Sequence, residues 1–276
     1  MNVLEDMEMA APSAGVEAPA VQPDPSARPR IAVLGLVVAG TAPLWILAPE
    51  GVEAVSFVAP FVAVPLIVAA ALWRFGGRAW LAGVVAGLGL LAAAAPLAPG
   101  ALAHPDSFFD FFPLASLLFG AALAVGGSVA SALQRRRGLA PDGGSARWSP
   151  TERAVTVGSA VALLALGGVS GVLTVTGQHA VSALDRFAAE PVTMVGFEFE
   201  PDELTVPADR EARFVVSNAD LALHTFTVDE LGVDVIVKPR SEGLVEFTPE
   251  RPGVYLLYCR PHTQDGQGMV ATLTVE

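Results

Sequence analysis

The chain has 276 residues, 53% of them apolar, and a formal net charge of −12 from 28 Asp and Glu against 16 Lys and Arg. A mean hydropathy of +0.53 excludes a wholly soluble protein, and the acidic balance argues against nucleic acid as a partner. The lone cysteine, Cys259, excludes any site that needs two thiolates.

In chain order, residues 1–30 are rich in Ala, Pro and acidic side chains and hold no apolar stretch, which predicts a disordered tail and not a cleaved signal peptide. Five runs without Lys or Arg follow: Ile31 to Ala48, Ala54 to Trp73, Ala79 to Leu97, Phe109 to Leu133 and Ala154 to Gly177. Each approaches or exceeds the roughly 20 residues that a helix needs to cross a bilayer. Gly83 and Gly87 suit close helix packing, and Trp45, Trp73 and Trp80 lie near run ends, as interfacial anchors or core aromatics would.

Arginine marks alternate connections. Arg28 and Arg30 precede the first run, Arg74 and Arg78 follow the second, and Arg135, Arg136, Arg137, Arg147 and Arg153 lie between the fourth and fifth, while the first and third connections carry no Lys or Arg. This pattern predicts five transmembrane helices over residues 31–178, a cytoplasmic N-terminus, a cytoplasmic polar loop from Gly138 to Pro150, and an extracytoplasmic C-terminus. Ionisable residues within the runs are scarce, Asp110 being the exception, which argues against a transporter or a haem-bearing enzyme. His104 and His179 fall on the outer side, where they would form a second metal or docking site or serve as ordinary boundary residues.

After a linker at 179–190, residues 191–276 change character. Short apolar runs separated by turn residues predict strands. Cys259 closes the run Val254 to Tyr258, His262 follows three residues later, and Met269 opens the run Val270 to Val275, so three donors are expected on the loop between two strands. His224 begins another strand, after the turn-forming stretch Ser217 to Asp220. A thiolate, two imidazoles and a thioether form a soft set that selects copper, and a trigonal Cys and two His with a weak axial Met is an electron-transfer arrangement. Zinc would more often take four strong ligands, and a second thiolate is lacking.

These residues resemble the cupredoxin family, plastocyanin-like members above all. The likeness extends to Phe199-Glu200-Pro201, Leu204 to Ala208, Phe214 to Asn218, and Pro252 to Tyr255 leading into Tyr258-Cys259, and it covers about the last 85 residues. It implies an all-β, antiparallel Greek-key sandwich following the α-helical membrane domain, one type 1 copper ion, and no catalytic residues of its own. Plastocyanin-like loops place four residues between His and Met, whereas six intervene here, and by count Gln267 falls where their Met sits. Met269 stays the favoured axial ligand because Gly266-Gln267-Gly268-Met269 leads directly into a strand, and Gln267 is the alternative.

The resemblance also implies that His262 has a solvent-facing edge inside an apolar patch, formed here by Pro261 and Leu221 to Leu223. The expected partners are the lipid bilayer and a redox protein. From Pro191 to Glu276 there are fifteen acidic against six basic residues, which would steer a positively charged partner or serve solubility alone. Other readings are a copper-handling protein of the cell surface and an accessory subunit of a respiratory complex. A binuclear oxidase centre would need a second cysteine, and the chain's five methionines give no cluster for copper transfer.

Overall fold

The computed structural model describes residues 29–46, 55–137, 148–264 and 266–276. The expected tail and most of the expected cytoplasmic loop lie outside the described residues. The helical part comprises α1 (Arg30–Thr41), which continues into a 3₁₀ turn (Ala42–Ile46), then α2 (Val55–Phe75), α3 (Trp80–Ala94), α4 (Ala98–Ala103), α5 (Phe108–Arg136) and α6 (Pro150–Thr176). Three of these, within α2 and over α5 and α6, are long and apolar enough to cross a membrane, while α1 and α3 are shorter apolar helices. In the first expected run the α-helix passes into the 3₁₀ turn, and in the third it ends at Ala94. Pro43 lies in that turn and Pro96 just past the end of α3, whereas Pro60 and Pro65 in α2 and Pro113 in α5 are accommodated inside continuous helices.

Small residues bring α1 onto α5. A Cβ on Gly120 would lie 2.5 Å from the Ala39 nitrogen, and one on Gly127 would lie 2.5 Å from the Ala32 nitrogen, so the two backbones touch. Gly83 and Gly87 place α3 against Ser128, Val125 and Ala121 of α5 in the same way, as the sequence predicts. The outward faces stay greasy. Ile67, Val85, Val161 and Leu164 are all exposed, a surface suited to lipid.

Arg30 at the start of α1 pairs with Glu152 at the start of α6 (3.4 Å), and Ser149 and Glu152 form a reciprocal capping box there. Both N-termini therefore lie at one end of the bundle. The 27 residues of α6 carry the chain about 40 Å to the other end, at 1.5 Å per residue.

At that far end the 179–190 segment is no open connector. It holds a short helix, α7 (Ala183–Ala188), and is pinned to the sandwich: His179 N–H donates to Ser241 Oγ (3.1 Å), its carbonyl accepts from Glu242 N–H (2.8 Å), and Val181 N–H donates to the Glu242 carboxylate (2.9 Å). Two further ties join the parts directly. Asp110 accepts from Leu223 N–H (2.8 Å), and Asp106 pairs with Lys238 (2.6 Å).

Among the described residues the sandwich has nine strands: β1 (Glu190–Val195), β2 (Glu198–Glu200), β3 (Glu203–Val206), β4 (Ala212–Asn218), β5 (His224–Val228), β6 (Val233–Val237), β7 (Glu242–Phe247), β8 (Gly253–Gln264) and β9 (Gln267–Val275). One sheet runs β2-β1-β4-β7 and the other β3-β9-β8-β5-β6. The sheets are mixed and not purely antiparallel, because β1–β4 and β3–β9 pair in parallel. The chain repeatedly changes sheet, so parallel neighbours arise without a crossover inside one sheet. Between the sheets lie Phe214, Phe226, Met194, Leu257 and Leu273, all essentially inaccessible. Cys259 and Met269 belong to the same core.

Candidate metal centre

Strand alternation delivers the thiol. Leu257 and Cys259 face inward on β8 while Leu256 and Arg260 face out, as a period of two requires. The sequence expectation of an open ligand loop is corrected here: β8 and β9 form one long hairpin whose pairing breaks between Tyr258 and Thr263 and resumes at Thr263–Gly268 and Gln264–Gln267. The break is a bulge-like irregularity that frees Cys259 and His262 from the ladder and re-aims their side chains. Gly268 is required at its position, since its φ is 109° and a Cβ would run into the His262 carbonyl.

Across the sheet, β5 supplies His224 as its first residue, fully buried. The three donors converge: His224 Nδ1 lies 3.0 Å from His262 Nδ1 and 3.6 Å from Cys259 Sγ, and His262 Nδ1 lies 3.3 Å from the same sulfur. An ion bonded at about 2 Å in a trigonal plane spaces its donors roughly 3.5 Å apart, so this triangle needs only slight opening to hold one. Among the described residues this is the one cluster of three His, Cys, Asp or Glu side chains that could hold a metal. The two imidazoles and one thiol are the soft-to-borderline set that copper takes.

The surroundings fix each donor. Asp220 Oδ2 lies 2.9 Å from His224 Nε2, so Nε2 carries the proton and Nδ1 presents its lone pair to the centre. Asp220 is itself held by N–H groups of Gly196 (2.9 Å) and Phe197 (3.1 Å). Burial pushes the Asp220 carboxyl up, but these donors and His224 outweigh it and hold the group below the usual carboxylate range. The Phe197 ring stands edge-on to both imidazoles, at 5.3 Å from His224 and 4.9 Å from His262. Thr225 N–H donates to Cys259 Sγ (3.3 Å), a contact that favours a thiolate. Thr225 Oγ1 accepts from Arg260 N–H (2.8 Å) and so ties β5 to the bulge.

Burial dominates the titration of the metal-free donors. It pushes the Cys259 thiol up to about 11 and, with repulsion from His224, pulls His262 down to about 3. Burial also lowers His224, against the pull of Asp220. The imidazoles are therefore neutral and ready to ligate at neutral pH, whereas the thiol must give up a proton.

Met269 is buried on the inward face of β9 with Ala271, Leu273 and Val275, whereas Gln267 is exposed. Thr263 Oγ1 donates to the Met269 carbonyl (2.9 Å) and anchors that end of the hairpin. Of the expected patch, Pro261 is exposed and Leu221 half-buried, whereas Ala222 and Leu223 are buried; Ala222, Leu223, Pro261 and His262 line a cavity whose other wall is helical. Sequence reasoning treated Asp220 only as a turn residue and assigned nothing to Phe197. A carboxylate four residues before a ligating His was the available signal for the first.

Residues 169–272 match the family model described as a cupredoxin-like domain. Cytochrome c oxidase subunit 2 of Thermus thermophilus is 30% identical over 86 residues, 31% of this chain and 63% of that protein, so the chain spans less than two thirds of that relative. Among solved structures, auracyanin B is 20% identical with a TM-score of 0.27, covering 36% of this chain and 88% of its own. A fern plastocyanin mutant is 22% identical with a TM-score of 0.25, covering 31% of this chain and 99% of its own. The two-sheet sandwich and the ligand-bearing hairpin agree with the family match: residues 169–272 carry a cupredoxin-like domain, and its donor cluster is a set that suits copper.

Proposed function

We propose that the protein is a membrane-held type 1 copper electron carrier. Cys259, His224 and His262 would hold the ion, and Met269, buried where Gln267 is exposed, would supply a weak fourth donor that tunes its potential. Bound there, copper supplies one-electron chemistry at a potential set by its ligands. The chain holds the donors on two strands and a bulged hairpin, so little rearrangement accompanies the change of oxidation state. Phe197 and the buried core keep water from the centre. The observation that carries the reading is the convergence of three donor atoms to 3.0–3.6 Å in a metal-free fold.

The sandwich follows the family's Greek-key path, five helices cross the bilayer, and the division is 1–30 tail, 31–178 membrane domain, 179–190 linker and 191–276 copper domain. The arginine-bearing end of the bundle faces the cytoplasm and the copper domain lies outside. The pairing of Arg30 with Glu152 at the end of the bundle opposite the sandwich supports this orientation. The electron acceptor is a redox protein, steered by complementary positive charge. Similarity to an oxidase subunit favours a second reading, in which the same carrier serves within a larger respiratory complex.

The test is the optical and EPR spectrum of the copper-loaded full chain. An intense visible thiolate-to-copper band is expected, absent in Cys259→Ser; a folded, colourless parent would sink the proposal. Met269→Leu should keep the colour and raise the midpoint potential while Gln267→Leu changes little, and the reverse pattern would move the axial role to Gln267.

A further inference from the structure

A cavity of about 920 Å³ lies between the helices and the copper domain. Its helical wall is apolar, with Val58, Phe61, Leu90, Leu114 and Leu117. Its other wall is the sandwich face that carries Leu223, Pro261 and His262, and polar groups gather at this side, with His104 and Asp110 from the helices and Thr225 and Arg260 from the sandwich. A mostly apolar cavity with a few convergent polar groups suits a small amphipathic ligand and suits water poorly.

The chemistry of the rim narrows the class. Arg260 is already paired with Asp229 (2.9 Å) and Asp234 (3.4 Å), so an anionic phospholipid headgroup would have to displace these partners. A neutral headgroup with hydroxyls needs no such exchange and can use His104. The wall it would touch contains the imidazole of a copper ligand, so a redox-active ring there would have a direct electron path. We propose that the cavity binds a lipid-phase quinol, tail among the helices and ring against His262, and that this quinol is the electron donor. This rests on the copper-carrier reading of the same site.

The balance is simple. A quinol oxidised to its quinone gives up two electrons and two protons. The copper centre takes one electron at a time, so each quinol needs two rounds, with a one-electron acceptor protein removing the first electron before the second arrives. The protons leave the ring oxygens for His104 and for water at the rim.

Two measurements on the full chain in nanodiscs test this. First, the metal-free chain is photolabelled with an azidoquinone. Labelling should map to α4 and the first half of α5, compete with a short-chain quinone, and fall about tenfold or more in Ala101→Trp, which fills the cavity, since a block of about 1.4 kcal/mol already costs that factor. Labelling that only phospholipid suppresses, or that ignores the substitution, would overturn the proposal in favour of a lipid-filled cavity. Second, in the copper-loaded chain a short-chain quinol should bleach the blue band with saturable kinetics, slowed about tenfold by Ala101→Trp, while ascorbate bleaches parent and variant alike. Non-saturable bleaching would refute the donor role. A parent without a blue band but with competitive quinone labelling would refute the copper reading and leave the quinone site standing.

Discussion

The two halves of this chain are held together by opposite means. In the sandwich, large side chains such as Phe214, Phe226 and Leu257 fill the space between sheets, and removal of their apolar surface from water drives the packing. In the bundle the buried set is dominated by alanine, with Ala32, Ala39, Ala121 and Ala124 beside glycines whose backbones touch. Lipid is as apolar as leucine, so helices gain little by hiding leucine and gain instead by close approach. The lesson is that a small residue is a packing device in one half and the absence of one in the other.

The comparison can be broken most severely at the seam. Gly120→Leu should prevent α1 from docking on α5, because the new side chain meets backbone that cannot yield. We expect a loss above about 3 kcal/mol, seen as aggregation or a collapsed thermal transition of the full chain in detergent, while any folded fraction keeps its blue band. A normal transition would show that the α1–α5 contact does not hold the bundle.

Next is the positioning of His224. Asp220→Ala leaves the donor triangle intact but frees the imidazole to rotate, and copper affinity should fall about 10–100-fold. Competition with a chelator measures it. Asp220→Asn should recover part of the loss, since an amide oxygen still accepts from Nε2.

A smaller, graded effect follows from proton competition. From neutral pH up to about 11 the metal-free thiol holds a proton and His262 does not. Copper binding therefore releases one proton, and the apparent Kd should drop about tenfold per pH unit until the thiol ionises by itself. Because the thiol is shifted up, affinity grows with pH over this window. A flat profile from neutral pH to about pH 9 would mean the thiol is already ionised or is not a ligand.

The least effect is expected on the lipid-facing surface. Leu164→Ala, at a side chain 77% exposed, should move stability by no more than about 0.5 kcal/mol in detergent. A larger change would mean that α6 buries that face against another chain.

The donor set was legible because chemistry and spacing are local: Cys259, His262 and Met269 lie within eleven residues, and His224 opens an apolar run. The strands around them were legible for the same reason, as short apolar runs between turn residues. Asp220 and Phe197 were not, since each acts only once β1, β2 and the turn before β5 come together. The mixed sheet order was hidden because it depends on which sheet each strand joins. The helical segments were visible as apolar runs, but hydropathy does not register where α1 passes into a 3₁₀ turn or where α3 ends. The cavity was illegible altogether, being made by faces far apart in sequence.

The anchoring of residues 179–181 on Ser241 and Glu242 has a kinetic meaning. A copper domain on a slack linker would swing between donor and acceptor, and linker length would help set its turnover. Here three hydrogen bonds at the end of α6, with Asp110 and Asp106 holding the opposite contacts, make the domain a fixed station. In the proposed carrier role, electrons would then be fetched by a mobile acceptor, so throughput should follow that acceptor's concentration and the ionic strength, and should be indifferent to lengthening of a linker that does not move.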